Sequence, residues 1–202
     1  MSANRLVFDR RERSLVVGAC VCGIVGTIIF VTGWAVLGQR LDGYSPISGA
    51  ISEIARAGRE THSLMTMAIV AFGIAVCVFA FALRMTSTRP AWLIAITHGL
   101  CTLGVAATPL GTPRGDHFHN GFAGAAYVSL ALLPWLASEN SSSSRRRLLG
   151  RSASVLTGSA LLVSTFGPSA TTGLFQRTGF TVADMWIIWT ASTIIIAESK
   201  SA

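Results

Sequence analysis

Six stretches of the chain, each about twenty residues long, carry almost no charge, and polar segments separate them. They run roughly over 14–38, 62–83, 90–110, 119–137, 148–166 and 181–197. A helix of that length crosses about 30 Å of hydrocarbon, and in lipid only helices and closed barrels satisfy every backbone N–H and C=O. The pattern predicts an all-α fold, with residues 1–202 forming a single polytopic bundle of six transmembrane helices. The fifth stretch is diluted by Arg151, Ser152, Ser154, Thr157, Gly158 and Ser159, small residues for the most part that suit close helix packing better than lipid contact.

The segment 39–61 is longer than a turn between two spans requires. Ser45 suits a helix cap and Pro46 a first helical position; Ile47, Ala50, Ile51 and Ile54 then recur at helical spacing before Gly58. This predicts a short amphipathic helix in the first outer loop, lying in the interface or folded back over the bundle.

Composition supports the membrane reading: 51% of residues are hydrophobic and 12% charged, against about 25% charged in soluble domains. Arg5, Arg10, Arg11 and Arg13 precede the first run as they would in a secretory signal. The run from Ser14 to Gly38 exceeds a signal's apolar core and has no small-x-small exit, so a retained span is expected.

A net charge of +7 raises nucleic acid as a partner, but the basic residues lie between apolar runs rather than on one soluble face. No nucleic-acid role is expected. Sorting them by segment puts eleven on one side (Arg5, Arg10, Arg11, Arg13, Arg84, Arg89, Arg145, Arg146, Arg147, Arg151 and Lys200) and five on the other (Arg40, Arg56, Arg59, Arg114 and Arg177). The positive-inside bias then puts both termini in the cytoplasm of a cell-membrane protein. Cys20, Cys22, Cys77 and Cys101 all fall in apolar runs and read as small hydrophobes. Trp34, Trp92, Trp135 and Trp186 lie near the ends of their runs as interfacial anchors, with Trp189 deeper.

Titratable residues gather on the outer side: Glu53, Glu60 and His62 before the second run, and Asp116, His117 and His119 before the fourth. Imidazole and carboxylate are the usual ligands of zinc and the usual proton carriers. Candidate metal ligands are therefore His62, His117 and His119, with zinc as the candidate cofactor, and Glu53, His98 and Asp116 are candidate catalytic groups. Each also has a structural reading. Asp116 could cap the fourth helix, and Thr181-x-x-Asp184 resembles a capping pair at the start of the sixth. His98, within the third run, reads first as a neutral histidine bonded inside the bundle and second as a proton relay.

Tyr44-Ser45-Pro46-Ile47-Ser48, Ile51-Ser52-Glu53-Ile54-Ala55, the Asp116-to-His119 entry to the fourth run, and Gly173-Leu174-Phe175-Gln176-Arg177 followed by Trp186 form a pattern across most of the chain. It resembles the bacterial domain of unknown function 998 family of multipass membrane proteins. The Ile-Ser-Glu segment more distantly resembles the outer loop of the Frag1, DRAM and Sfk1 group, some of which are linked to lipid remodelling. The first resemblance implies a six-span bundle with recurrent polar positions outside and no common activity. Ser52, Glu53, His119 and Arg177 carry over as ligand-binding candidates, joined by Arg56 from the outer loop. Gln176 departs from the family, where an acidic residue commonly precedes the arginine.

No Gly-x-Ser-x-Gly, His-Glu-x-x-His, phosphate loop or dinucleotide fingerprint is present. The leading expectation is a module that binds or positions a lipid or partner protein at the outer leaflet. Its partners would be membrane lipids and a membrane protein or a second copy of the chain. The alternatives are a membrane-embedded, metal-dependent hydrolase or transferase acting on lipids, and a small transporter.

Overall fold

The structure is a computed structural model that describes residues 9–86, 90–113, 115–139 and 141–200. Arg5, Arg89 and Arg114, used in the charge sorting, lie outside the described residues. Among the described residues the fold is all-α. The six α-helices are α1 (Arg10–Arg40), α2 (His62–Thr86), α3 (Ala91–Ala107), α4 (Gly115–Ser138), α5 (Ser144–Phe166) and α6 (Thr172–Ser199). Each helix packs on its successor and α6 closes back on α1, so the helices alternate in direction around a ring.

Asp9 starts α1, its carboxylate accepting from Glu12 N at 2.7 Å while the Glu12 side chain accepts from Asp9 N at 3.1 Å. The core is apolar and aromatic: Phe30 stacks on Phe72 with centroids 4.8 Å apart, and Phe79, Leu130, Leu133 and Ile187 are fully buried. Small residues set helix spacing. A side-chain carbon at Gly99 would come within 2.7 Å of the Gly73 carbonyl, so α2 and α3 approach to backbone contact.

Four helical segments, Arg10–Arg40, His62–Thr86, Gly115–Ser138 and Ser169–Ser199, are long and apolar enough to cross a membrane by length and composition. α3 is apolar but only 17 residues long. α5 contains Arg145, Arg146, Arg147 and Arg151 and does not join that group.

Four expectations are corrected. The loop expected on the outer side, 39–61, forms no amphipathic α-helix; it folds as turns around a single 3-10 turn, Ile51–Glu53. Its backbone groups bond to other elements instead: Leu174 N donates to Ile47 O at 2.8 Å and Ala57 N to Leu110 O at 2.9 Å. Of its isoleucines, Ile51 and Ile54 are buried whereas Ile47 points outward.

The last helix begins at Thr172, nine residues before the expected start, so Thr181 and Asp184 lie mid-helix and form no cap. Trp186 is buried in the core and is no interfacial anchor, while the half-exposed Trp189 lies under the Arg146 guanidinium at 5.3 Å. Likewise α4 begins at Gly115, placing Asp116 in its first turn, where a carboxylate favours the helix dipole.

Candidate functional site

The loop from Tyr44 to Thr61 is fastened to the start of α6 by Arg177. Its Nη1 donates to Pro46 O at 2.8 Å, Gly49 O at 2.9 Å and Gly173 O at 3.0 Å, and its Nη2 donates to the Tyr44 hydroxyl. The guanidinium lies over the rings of Trp34, at 5.4 Å, and Tyr44, at 5.5 Å. Arg177 is buried and forms no ion pair with a carboxylate among the described residues. A buried charge needs compensation, which here comes from carbonyl dipoles and aromatic faces.

The Tyr44 hydroxyl also donates within the loop, to Gly49 O at 2.9 Å or Ala50 O at 3.0 Å. Burial pushes its phenol above the ordinary value, so it stays neutral and able to donate. The fit is tight: a methyl group at Gly173 would come within 2.2 Å of Gly49 O and 2.6 Å of Pro46 O.

Gln176, one residue before, makes a second fastening. Its Oε1 accepts from Ile51 N at 2.7 Å, and its Nε2 donates to the Tyr127 hydroxyl on α4. Thr61 donates to Ile54 O at 2.7 Å, and Gly58, at φ +83°, turns the chain towards α2. The loop is thus a latched lid with Ile51 and Ile54 as its underside.

Apart from Arg177, the candidate residues fall into three groups, and His119 belongs to two of them. On the exposed side of the loop, Arg56 grips Glu53 with two 2.7 Å bonds. That pairing, aided by Arg59, holds the Glu53 carboxyl below its usual range despite partial burial. Asp116 accepts from Gly111 N at 2.8 Å, and His117 is exposed beside it.

Imidazoles that tie backbone together make the second group. His62 Nδ1–H donates to Ala55 O at 2.7 Å, His119 Nδ1–H to Thr108 O at 2.8 Å and His98 Nδ1–H to Ala126 O at 3.1 Å. His98 is fully buried edge-on to Phe72 and joins α3 to α4, apart from Glu53 and Asp116. No group of three or more His, Cys, Asp or Glu that could hold a metal occurs among the described residues. His62, His117 and His119 are therefore not brought together as a zinc site.

Ser52 and His119 form the third group, because both line a cavity of about 50 Å³ beneath the lid. Ile51, Phe30, Phe72 and Phe180 supply its apolar walls, and Thr102, Gln176 and Tyr127 its remaining polar ones. The volume suits a few waters or the end of an apolar chain. With Nδ1 committed to Thr108 O, a neutral His119 keeps Nε2 as an acceptor.

Tyr44, Gln176 and Tyr127 escaped the sequence reading as site residues. A signal was available: the chain has two tyrosines, and both hydroxyls meet consecutive residues of α6. Asp184 forms no cap: it is buried mid-helix, and neither carboxylate oxygen has a hydrogen-bond partner among the described residues.

Fold and site together define an all-helical protein with membrane-like apolar helices and a loop latched over one end of the bundle. The chain matches, over residues 24–193, a family described as proteins of unknown function, DUF998, and it belongs to that family. No curated protein and no solved structure matches it.

Proposed function

We propose that this chain is a six-span membrane module that binds a lipid at the outer leaflet, holding an apolar portion of the lipid in the cavity under the lid. The carrying observation is that cavity, roofed by Ile51 and Ser52 and walled chiefly by apolar side chains from α1, α2, α3, α4 and α6. Six spans are supported by the ring, in which α3 and α5 run between the same two ends as their neighbours. Seventeen residues reach about 25 Å, at the short limit for a span. The lid, the Leu110 turn and the start of α6 share one end; Arg13 and Glu198, 3.6 Å apart, mark the other. The excess of basic residues on the Arg13 side favours a cell-membrane orientation with that end in the cytoplasm.

Native mass spectrometry of the purified protein tests lipid binding. Wild type retains lipid, and Ala123→Phe, which fills the cavity from α4, releases it while the protein stays monodisperse. A wild type without lipid, or a variant that keeps it, overturns the reading.

His119 favours a second reading, a hydrolase or transferase in which its Nε2 acts as base on a lipid held in the cavity. Release of fatty acid or headgroup from nanodisc lipid, abolished in His119→Ala with lipid retention unchanged, would favour it.

A further inference from the structure

The cavity is latched from above. Arg177, Gln176 and Tyr44 hold the lid down, and Ile51 and Ser52 roof the cavity. Lifting the lid requires breaking this network. Between α4 and α5 runs an open groove of about 420 Å³ that shares one residue, Tyr127, with the cavity. Tyr127 is half-buried, its ring meets Phe180 edge-on at 5.9 Å, and its hydroxyl receives the Gln176 amide. It is the residue that the linings of the groove and the cavity have in common.

The groove's chemistry selects its occupant. Gly124, Ala131 and Gly158 contribute little bulk, and Val128, Leu162 and Phe166 present exposed apolar side chains along it. Its polar side chains are both occupied: Tyr127 by Gln176, and Thr165 by Leu161 O, to which it donates at 2.8 Å. It carries no charge and gives a headgroup nothing to bind. A helix, about 10 Å across with its side chains, is too thick to pass one tyrosine. A polymethylene chain is not.

We infer that the α4–α5 groove is a lateral portal through which one acyl chain of a membrane lipid passes Tyr127 into the cavity. The inference rests on the lipid-binding reading above and adds the route, the part of the ligand that enters, and a gating residue. Rotation of the Tyr127 ring away from Gln176 opens the wall, and the hydrogen bond on its hydroxyl holds it shut.

The test uses the full chain in nanodiscs containing phosphatidylglycerol with a diazirine near the end of one acyl chain, irradiated and mapped by peptide mass spectrometry. Ile69 and Phe72 line the cavity and are nearly or wholly buried, out of reach of surrounding lipid, whereas Met67 and Val155 face outward and report that lipid. Wild type should carry adducts on Ile69 or Phe72 as well as on Met67 and Val155. Gly158→Leu fills the groove, since the nearest atom to a new side-chain carbon there is Ala131 Cβ at 3.5 Å. It should cut the Ile69 and Phe72 adducts at least fivefold and leave those on Met67 and Val155 unchanged. Tyr127→Phe, which keeps the ring and loses the bond to Gln176, should raise the cavity adducts severalfold. Undiminished cavity adducts in Gly158→Leu overturn the portal and leave lipid binding standing. A wild type labelled only at Met67 and Val155 overturns both.

Discussion

Replacing Arg177 with methionine keeps a long apolar stem and removes the guanidinium from the latch. Gly49 O then retains the Tyr44 hydroxyl as donor, whereas Pro46 O has no other donor among the described residues. A buried carbonyl stripped of its partner costs about 1–3 kcal/mol. Loss of the contacts with the Trp34 and Tyr44 rings adds about 0.5–1 kcal/mol. Relief from burying a cation without a carboxylate returns part of this. The net is about 2 kcal/mol off the cost of opening the lid, or about 30-fold in its open population. Hydrogen exchange on nanodisc-embedded protein reads this directly. The amides of Gly49, Ile51, Glu53 and Ile54, all bonded in the closed lid, should exchange about 30-fold faster in the variant. Amides in the middle of α2 should not change. Arg177→Lys should fall between, since an ammonium lacks the planar fork that reaches several acceptors at once. Lid exchange within twofold of wild type in Arg177→Met would refute the latch.

Two further outcomes follow from the same contacts. The Arg56 pair depresses the Glu53 carboxyl, so its support for the lid is complete above the unfolded carboxylate value of about 4.3 and is lost as pH falls through the lower folded value. Protection of the Glu53–Ala57 amides should therefore drop on acidification below about pH 4 in wild type and stay flat in Glu53→Gln; matching profiles would contradict the pairing. Gly173→Ala forces the lid backbone off α6 and should lower the thermal midpoint by the equivalent of about 1–3 kcal/mol. An unshifted midpoint would show that the lid does not press on Gly173.

The apolar helices were legible because burial and lipid both demand the same long charge-free runs. The turn of α6 carrying Gln176 and Arg177 was not, because its polar groups are satisfied by lid residues more than 120 positions away. Hydropathy sees such residues as loop. Ile51 and Ile54, three apart, fit one turn of 3-10 helix as well as an α-helix, and only the bonds to Leu110 and Leu174 decide between them. Thr181-x-x-Asp184 has the spacing of a cap, but spacing does not reveal that the helix starts nine residues earlier. The segments around Tyr44 and Arg177 stood out separately as family-like patterns. That they are two faces of one contact depends on the bundle closing α6 onto α1. His119 was visible as an outer histidine, but the cavity beneath it exists only once five helices and the lid are assembled.

Site-directed thiol labelling tests the six-span arrangement most directly. In a background without the four native cysteines, Ser48→Cys lies on the lid and Ser142→Cys between α4 and α5, and both positions are exposed. Six spans with a cytoplasmic N-terminus place them on opposite sides. A membrane-impermeant maleimide applied to intact cells should label Ser48→Cys and leave Ser142→Cys unlabelled until the cells are permeabilised. If only the four longer apolar segments cross, the α4–α5 connection lies outside with the lid, and labelling of both positions in intact cells would contradict the six-span account.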